Sequence, residues 1–217
     1  KIYLPECIRL YRSILKHIHI FAAHRGVIMD KSEIKKEGVS SISEFDNVSL
    51  EYISLVENAD KYDQDFFIDN TTFDHAKFLT FKLINRAKKF IKIFTGDLSE
   101  VYYNNNIILK ALAEKLDKNV KVDIITRNGT KSKEFIELQK KYKDNLNIIS
   151  LKDKMEIENH FLLVDNTSFR IELTHSKKDT SIINFNVDAK ANFYNEEFGS
   201  LLKGIFDKLR ISSDPQN

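Results

Sequence analysis

Residues 146–186 read LNIISLKDKMEIENHFLLVDNTSFRIELTHSKKDTSIINFN, and the reading of this stretch decides the fold. Its centre, residues 161–164, is an unbroken apolar run that stops on Asp165-Asn166-Thr167, which is turn chemistry, and restarts at once as Ser168-Phe169-Arg170-Ile171-Glu172-Leu173. A strand, a tight turn and a second strand are predicted. Side chains alternate between the faces of a strand, so Glu158, His160 and Leu162 share one face, and Arg170 and Glu172 share a face of the next strand. Charged groups embedded in such apolar strands need partners, because burying a polar group without a hydrogen bond costs about 2–7 kcal/mol. They lie on a solvated face or they form a site.

Working outward, the chain has 217 residues, 42% hydrophobic and 30% charged, enough for a sound core in one large domain or a medium domain with an extension. The formal net charge of +2 argues against a strongly electrostatic nucleic-acid binder and leaves room only for a local basic patch. No stretch is long and apolar enough to span a membrane. Cys7 is the only cysteine, which excludes an intramolecular disulfide and a cysteine-built zinc site and points to a reducing cytoplasm. A chain that opens on Lys1 rather than Met is expected to continue upstream.

Before the central stretch, residues 5–24 read as a helix with an apolar stripe, and residues 30–46 as a polar connection. His17 and His19 stand two apart, with no third ligand placed beside them by the sequence. A helix is predicted over residues 49–59. Asp60, Asp63, Asp65, Asp69 and Asp74 then cluster, without the glycine and terminal glutamate of a calcium-binding loop, so solvated loop and capping charge is the reading. Beyond them a helix to about residue 89, strands over 90–95, 120–126 and 146–151, helices between them over 107–116 and 132–142, and a closing helix over 195–209 alternate at βαβ spacing. The expected fold is α/β: a mostly parallel central sheet flanked by helices over residues 71–217, ending in a C-terminal tail, with a mainly helical N-terminal region over residues 1–70.

This order resembles the phospholipase D-like superfamily over roughly residues 73–210. The resemblance rests on Ile84-Asn85-Arg86-Ala87-Lys88-Lys89-Phe90-Ile91-Lys92-Ile93, on residues 120–126, on His160-Phe161-Leu162-Leu163-Val164-Asp165, and on Asn184-Phe185-Asn186 ahead of a closing helix containing Phe206. Members of the family carry His-x-Lys-x4-Asp on the corresponding strand; the histidine attacks phosphorus, the lysine holds the phosphoryl oxygens, and a second copy of the motif supplies the acid. Setting Asp165 at the motif aspartate puts His160 at the lysine position and Glu158 at the histidine position. Setting His160 as the nucleophile puts Leu162 where the lysine belongs. Neither register restores the motif, and the family's Gly-Ser element falls near Glu172 and Leu173, with His175 beyond.

Two functions follow from the resemblance. The leading one is a degenerate phospholipase D-like domain that has lost catalysis and serves as a binding or assembly module within a larger chain or complex. The other is a divergent phosphodiesterase or nuclease in which His160 acts, assisted by Arg170, His175 and Asn184. The candidate site residues are therefore Glu158, His160, Asp165, Arg170, Glu172, His175 and Asn184. No metal and no cofactor is implied. The expected partners are a second copy of the chain, since the family pairs two motif copies and this chain shows one, and nucleic acid or another phosphodiester ligand.

Overall fold

The helices begin where the chain offers a short polar side chain to accept the first free amides. In the computed structural model, which describes residues 45–98, 102–127, 129, 132–151, 160–174 and 188–212, Ser49 accepts from the Tyr52 N–H at 3.2 Å and opens α1 (Leu50–Lys61). Thr72 does the same for α2 (Phe73–Arg86), Asn105 for α3 (Asn106–Asp117) and Ser132 for α4 (Lys133–Lys141). Asn195 accepts from the Phe198 N–H at 2.8 Å at the head of α5 (Glu196–Ser212). Such a cap is worth about 1 kcal/mol. The strands are β1 (Ile68–Asn70), β2 (Phe90–Thr95), β3 (Lys121–Thr126), β4 (Leu146–Ser150), β5 (Phe161–Val164), β6 (Ser168–Thr174) and β7 (Asp188–Asn192).

They form one seven-stranded sheet in the order β1-β7-β6-β5-β2-β3-β4. The sheet is mixed, which corrects the expectation of a mostly parallel one: β2, β3 and β4 are mutually parallel, while β2 pairs β5, β5 pairs β6, β6 pairs β7 and β7 pairs β1 in antiparallel fashion. The reason lies in the connections. Helices α3 and α4 carry the chain back over the sheet and make parallel neighbours. The turn at Asp165, Asn166 and Thr167 reverses the chain on the spot, so β6 must run against β5. Asp165 and Asn166 both take positive φ there, 50° and 64°, which their short polar side chains tolerate.

Strand β5 is buried along its whole length because it has core on both faces. Leu162 and Val164 join Leu79, Leu83, Ile91 and Ile93 in the layer under α2 and α3. Phe161 and Leu163 join Phe94, Phe169, Leu202 and Phe206 under α5. Phenylalanines 94, 135, 161, 169, 193 and 206 are all fully buried, and each such side chain stabilises the fold by about 2–3 kcal/mol. Gly199 lets α5 sit directly on the β5–β6 turn: a Cβ there would stand 1.8 Å from the Asn166 carbonyl oxygen. On the α5 side, Lys92 in β2 donates to Asp207 at 3.0 Å, lies 3.6 Å from Asp123 and packs 4.5 Å over the Phe206 ring, so this charge inside an apolar strand is a clasp on the helix.

One sequence expectation changes at its edge. Helix α2 ends at Arg86 rather than near Lys89, because Ala87 turns extended and the amides of Lys88, Lys89 and Phe90 all bind the Asp165 carboxylate, at 2.7, 2.9 and 2.9 Å. Phe45, Val48, Ile53 and Val56 belong to the same core as the sheet, and β1 pairs with β7. Residues 1–44, with the predicted first helix and both of its histidines, lie outside the described residues.

Candidate functional site

Hydrogen bonding links β1, β6, the start of β5 and the end of β2 into one polar line across the sheet. Arg170 Nε donates to Asn70 Oδ1 at 2.6 Å. The Arg170 Nη1 atom lies 3.9 Å from Glu172 Oε2, and that carboxylate lies 3.2 Å from His160 Nδ1. The backbone holds the same pair in register, since the Glu172 N–H donates to the His160 carbonyl at 2.8 Å. On the far side of the ring, the Gly96 N–H donates to His160 Nε2 at 2.9 Å. An amide can only donate, so Nε2 presents its lone pair to Gly96, and the ring proton sits on Nδ1, facing Glu172.

Gly96 follows the last residue of β2, and its missing side chain is what allows the contact. A Cβ at this position would stand 3.2 Å from His160 Nε2 and 3.3 Å from Arg127 Nη2. Arg127 follows the last residue of β3 and is held beside Gly96 by its own backbone, whose N–H donates to the Thr95 carbonyl at 3.0 Å. Next to it Gly129, at φ 70°, faces the Ser150 side chain, and Thr126 Oγ1 lies 3.3 Å from Ser150 Oγ. The site is thus assembled at the carboxyl ends of the parallel strands, where open α/β sheets place their ligands.

Arg170 anchors this line from beneath. It is 4% exposed, its guanidinium lies 5.7 Å from the centre of the Tyr102 ring, and burial works against its charge, but Tyr102 and Glu172 more than offset that and keep it firmly protonated. Burial in turn pushes the Tyr102 and Tyr103 phenols above their ordinary range. Tyr102 is further tied down by a hydrogen bond to the Ala76 carbonyl and a 2.6 Å contact with Thr80 Oγ1. With so little exposure and an Asn70 partner, Arg170 braces Glu172 rather than reaching a ligand.

Of the sequence-derived set, the structure brings His160, Arg170 and Glu172 together. Asp165 stands at the other end of β5, five residues of extended chain or about 16 Å away, with its carboxylate occupied by three backbone amides. Glu158, His175 and Asn184 lie outside the described residues. Sequence reasoning missed Arg127, Gly96 and Asn70. Gly96 carried the available signal, since a glycine after an apolar strand permits close approach of another group. The clustered aspartates resolve into fastenings. Asp60 and Asp63 pair with Arg86, Asp65 accepts from Asn192 and Asn195, Asp69 pairs with Lys190, and Asp74 with Lys77. Among the described residues no group of acidic, histidine or cysteine side chains is arranged to hold a metal ion, and no helix is long and apolar enough to cross a membrane.

No family model and no curated protein matches this sequence. Solved structures do. The chain is similar to TrmBL2, an archaeal chromatin protein with a novel mode of DNA binding, at a TM-score of 0.54 and 16% identity, with 76% of this chain covering 59% of that one. It is similar to Nuc from Salmonella typhimurium, a phospholipase D family member, at 0.54 and 13% identity, with 70% of this chain covering 97% of Nuc. NucT from Helicobacter pylori matches at 0.51 and 17% identity, over 68% of this chain and 98% of NucT. At these identities the likeness is one of architecture, and it shows that this mixed α/β sheet shares the fold of phospholipase D family members.

Proposed function

We propose that this chain is a degenerate phospholipase D-like domain that binds a phosphodiester ligand, with nucleic acid the favoured class, and does not hydrolyse it. The observation that carries the reading is the hydrogen bond from the Gly96 N–H to His160 Nε2. A histidine that attacks phosphorus must offer that lone pair to the substrate, and here a backbone amide holds it. The family lysine that would steady the phosphoryl oxygens is missing from both possible registers. The loss of one such fixed donor costs about 100- to 1000-fold in rate. Arg127, beside Gly96, supplies positive charge suited to holding a phosphate next to His160. TrmBL2 is named as a DNA-binding chromatin protein, which supports nucleic acid as the ligand class. The single motif supports a homodimer, with light scattering as the check.

A second reading has its own observation. Glu172 on Nδ1 orients the imidazole in the way a carboxylate orients a working histidine, which favours a divergent phosphodiesterase or nuclease if Gly96 swings away. One experiment separates the two. A fluorescently labelled oligonucleotide is titrated by anisotropy, and bis-p-nitrophenyl phosphate is incubated with the protein, with and without divalent metal. Binding without turnover is expected, with Arg127→Ala weakening binding about tenfold. Clear turnover that disappears in a folded His160→Ala variant would overturn the binding reading in favour of the enzyme.

A further inference from the structure

The opposite end of the sheet carries a feature that the His160 site does not use. Lys88 and Lys89 lie between α2 and β2, Lys118 and Lys121 flank the loop from α3 to β3, and Lys143 lies in the loop from α4 to β4. All five are exposed. The backbone gathers them onto one edge. The Lys121 N–H donates to the Lys89 carbonyl at 3.1 Å, and the Val122 N–H donates to the Asn145 carbonyl at 2.7 Å, so the three loops run side by side. Neighbouring strands of a sheet lie about 4.8 Å apart.

Lysines past the ends of helices have an ordinary explanation, since each helix C-terminus carries about half a negative charge. Three helices end here, at Arg86, Asp117 and Lys141, and their joint demand of about one and a half charges is already met in part. Lys115 donates to the carbonyls of Asn85 and Ala87 at the end of α2. Lys141 lies 3.8 Å from Asp117, beside a Tyr142 hydroxyl that donates to the same carboxylate at 2.6 Å. The Asp165 carboxylate is turned onto backbone amides. Among the described residues none of the five lysines forms an ion pair. Positive charge is left over at this edge in a chain whose formal net charge is only +2.

We infer that this lysine edge is a second, sequence-independent contact surface for the phosphate backbone of nucleic acid, separate from the His160 site. Lysine suits that task, because it meets phosphate as a point charge and carries no base-reading geometry. An anionic membrane would be drawn by the same charge, but a membrane-binding edge gains from apolar side chains that insert. Among the described residues the exposed large apolar side chains, Leu50, Tyr62, Ile136, Tyr194 and Ile211, all lie outside these three loops.

The test uses the whole chain with Lys88→Glu, Lys89→Glu, Lys118→Glu and Lys121→Glu combined, beside a milder variant with the same lysines changed to glutamine, both verified by thermal melting. A labelled mixed-sequence DNA duplex is titrated over a range of salt, and vesicles of phosphatidylcholine with phosphatidylserine are titrated in parallel. Each lysine withdrawn from a phosphate lowers the salt slope by about 0.9 and the affinity at about 0.1 M salt by about tenfold. The expected result is a loss of about 100-fold or more for duplex DNA in the glutamate variant and a smaller loss in the glutamine variant. DNA affinity unchanged in both variants sinks the inference, and so does a loss confined to vesicle binding. This surface is independent of the proposed binding at His160. A loss in the lysine variants that Arg127→Ala does not share leaves this surface standing and removes binding at the His160 site, and the reverse pattern removes this surface and keeps that site.

Discussion

The two ends of strand β5 carry the two residues that the sequence marks most strongly, and they do opposite things. At the amino end His160 joins a line of side chains that runs from Asn70 through Arg170 and Glu172 to the Gly96 amide, at the mouth of the sheet. At the carboxyl end Asp165 points back into its own fold and gathers the amides that follow helix α2. Both are polar groups beside four apolar residues, and both are satisfied. The difference lies in what surrounds them. Asp165 meets a strand start whose amides need acceptors, so it becomes a structural clasp. His160 meets a glycine and an arginine at strand ends, so it stays part of the polar line there.

The comparison breaks most visibly if Asp165 can be removed cheaply. Asp165→Ala leaves three amides without their acceptor, and a hydrogen bond to a charged group is worth about 1.5–3 kcal/mol. Allowing for water reaching this half-buried site, the expected loss is about 2–4 kcal/mol in urea unfolding. Asp165→Asn tolerates the positive φ and keeps one acceptor oxygen, so it should lose less. Equal losses in both variants would show that the full carboxylate, rather than backbone strain, dominates this end.

At the other end, His160→Ala removes the acceptor for Gly96 and the partner of Glu172. The expected cost is smaller, about 1–2 kcal/mol, and amide hydrogen exchange should quicken at Gly96 while Lys88 and Lys89 keep their protection. Acceleration at Lys88 and Lys89 to the same degree would mean that the two ends open together and that the contrast between them is false.

The smallest effect at neutral pH comes from the phenols behind the site. Tyr102 and Tyr103 are held above the ordinary phenol range by burial. A raised folded-state value means that the neutral form is favoured in the fold. The stability this represents is fully present below the unfolded phenol value of about 10 and is lost as pH rises beyond it. Alkaline titration followed by tyrosinate absorbance should therefore show phenols that ionise only with unfolding, and Tyr103→Phe should remove one of them. Ordinary titration of every tyrosine in the folded state would contradict the burial of this pair.

The sequence by itself determined the local pieces. Helices over residues 49–59 and 132–142 were legible as periodic runs, and the apolar run ending on Asp165-Asn166-Thr167 announced a hairpin, because helix periodicity and turns are settled by interactions a few residues apart. The same locality made parallel pairing legible from β2 to β4, where a helix separates each pair of strands. It could not show that β5 would return beside β2, or that β1 would close the other edge against β7, since those pairings join residues far apart in the chain. The site divides in the same way. His160, Arg170 and Glu172 stood out as charges in apolar strands, whereas Gly96, Arg127 and Asn70 became part of it only when β2, β3 and β1 were brought to the same line. A hydrogen bond such as that between Gly96 and His160, 64 residues apart in the chain, is decided by tertiary packing, because nothing local in either segment requires the other.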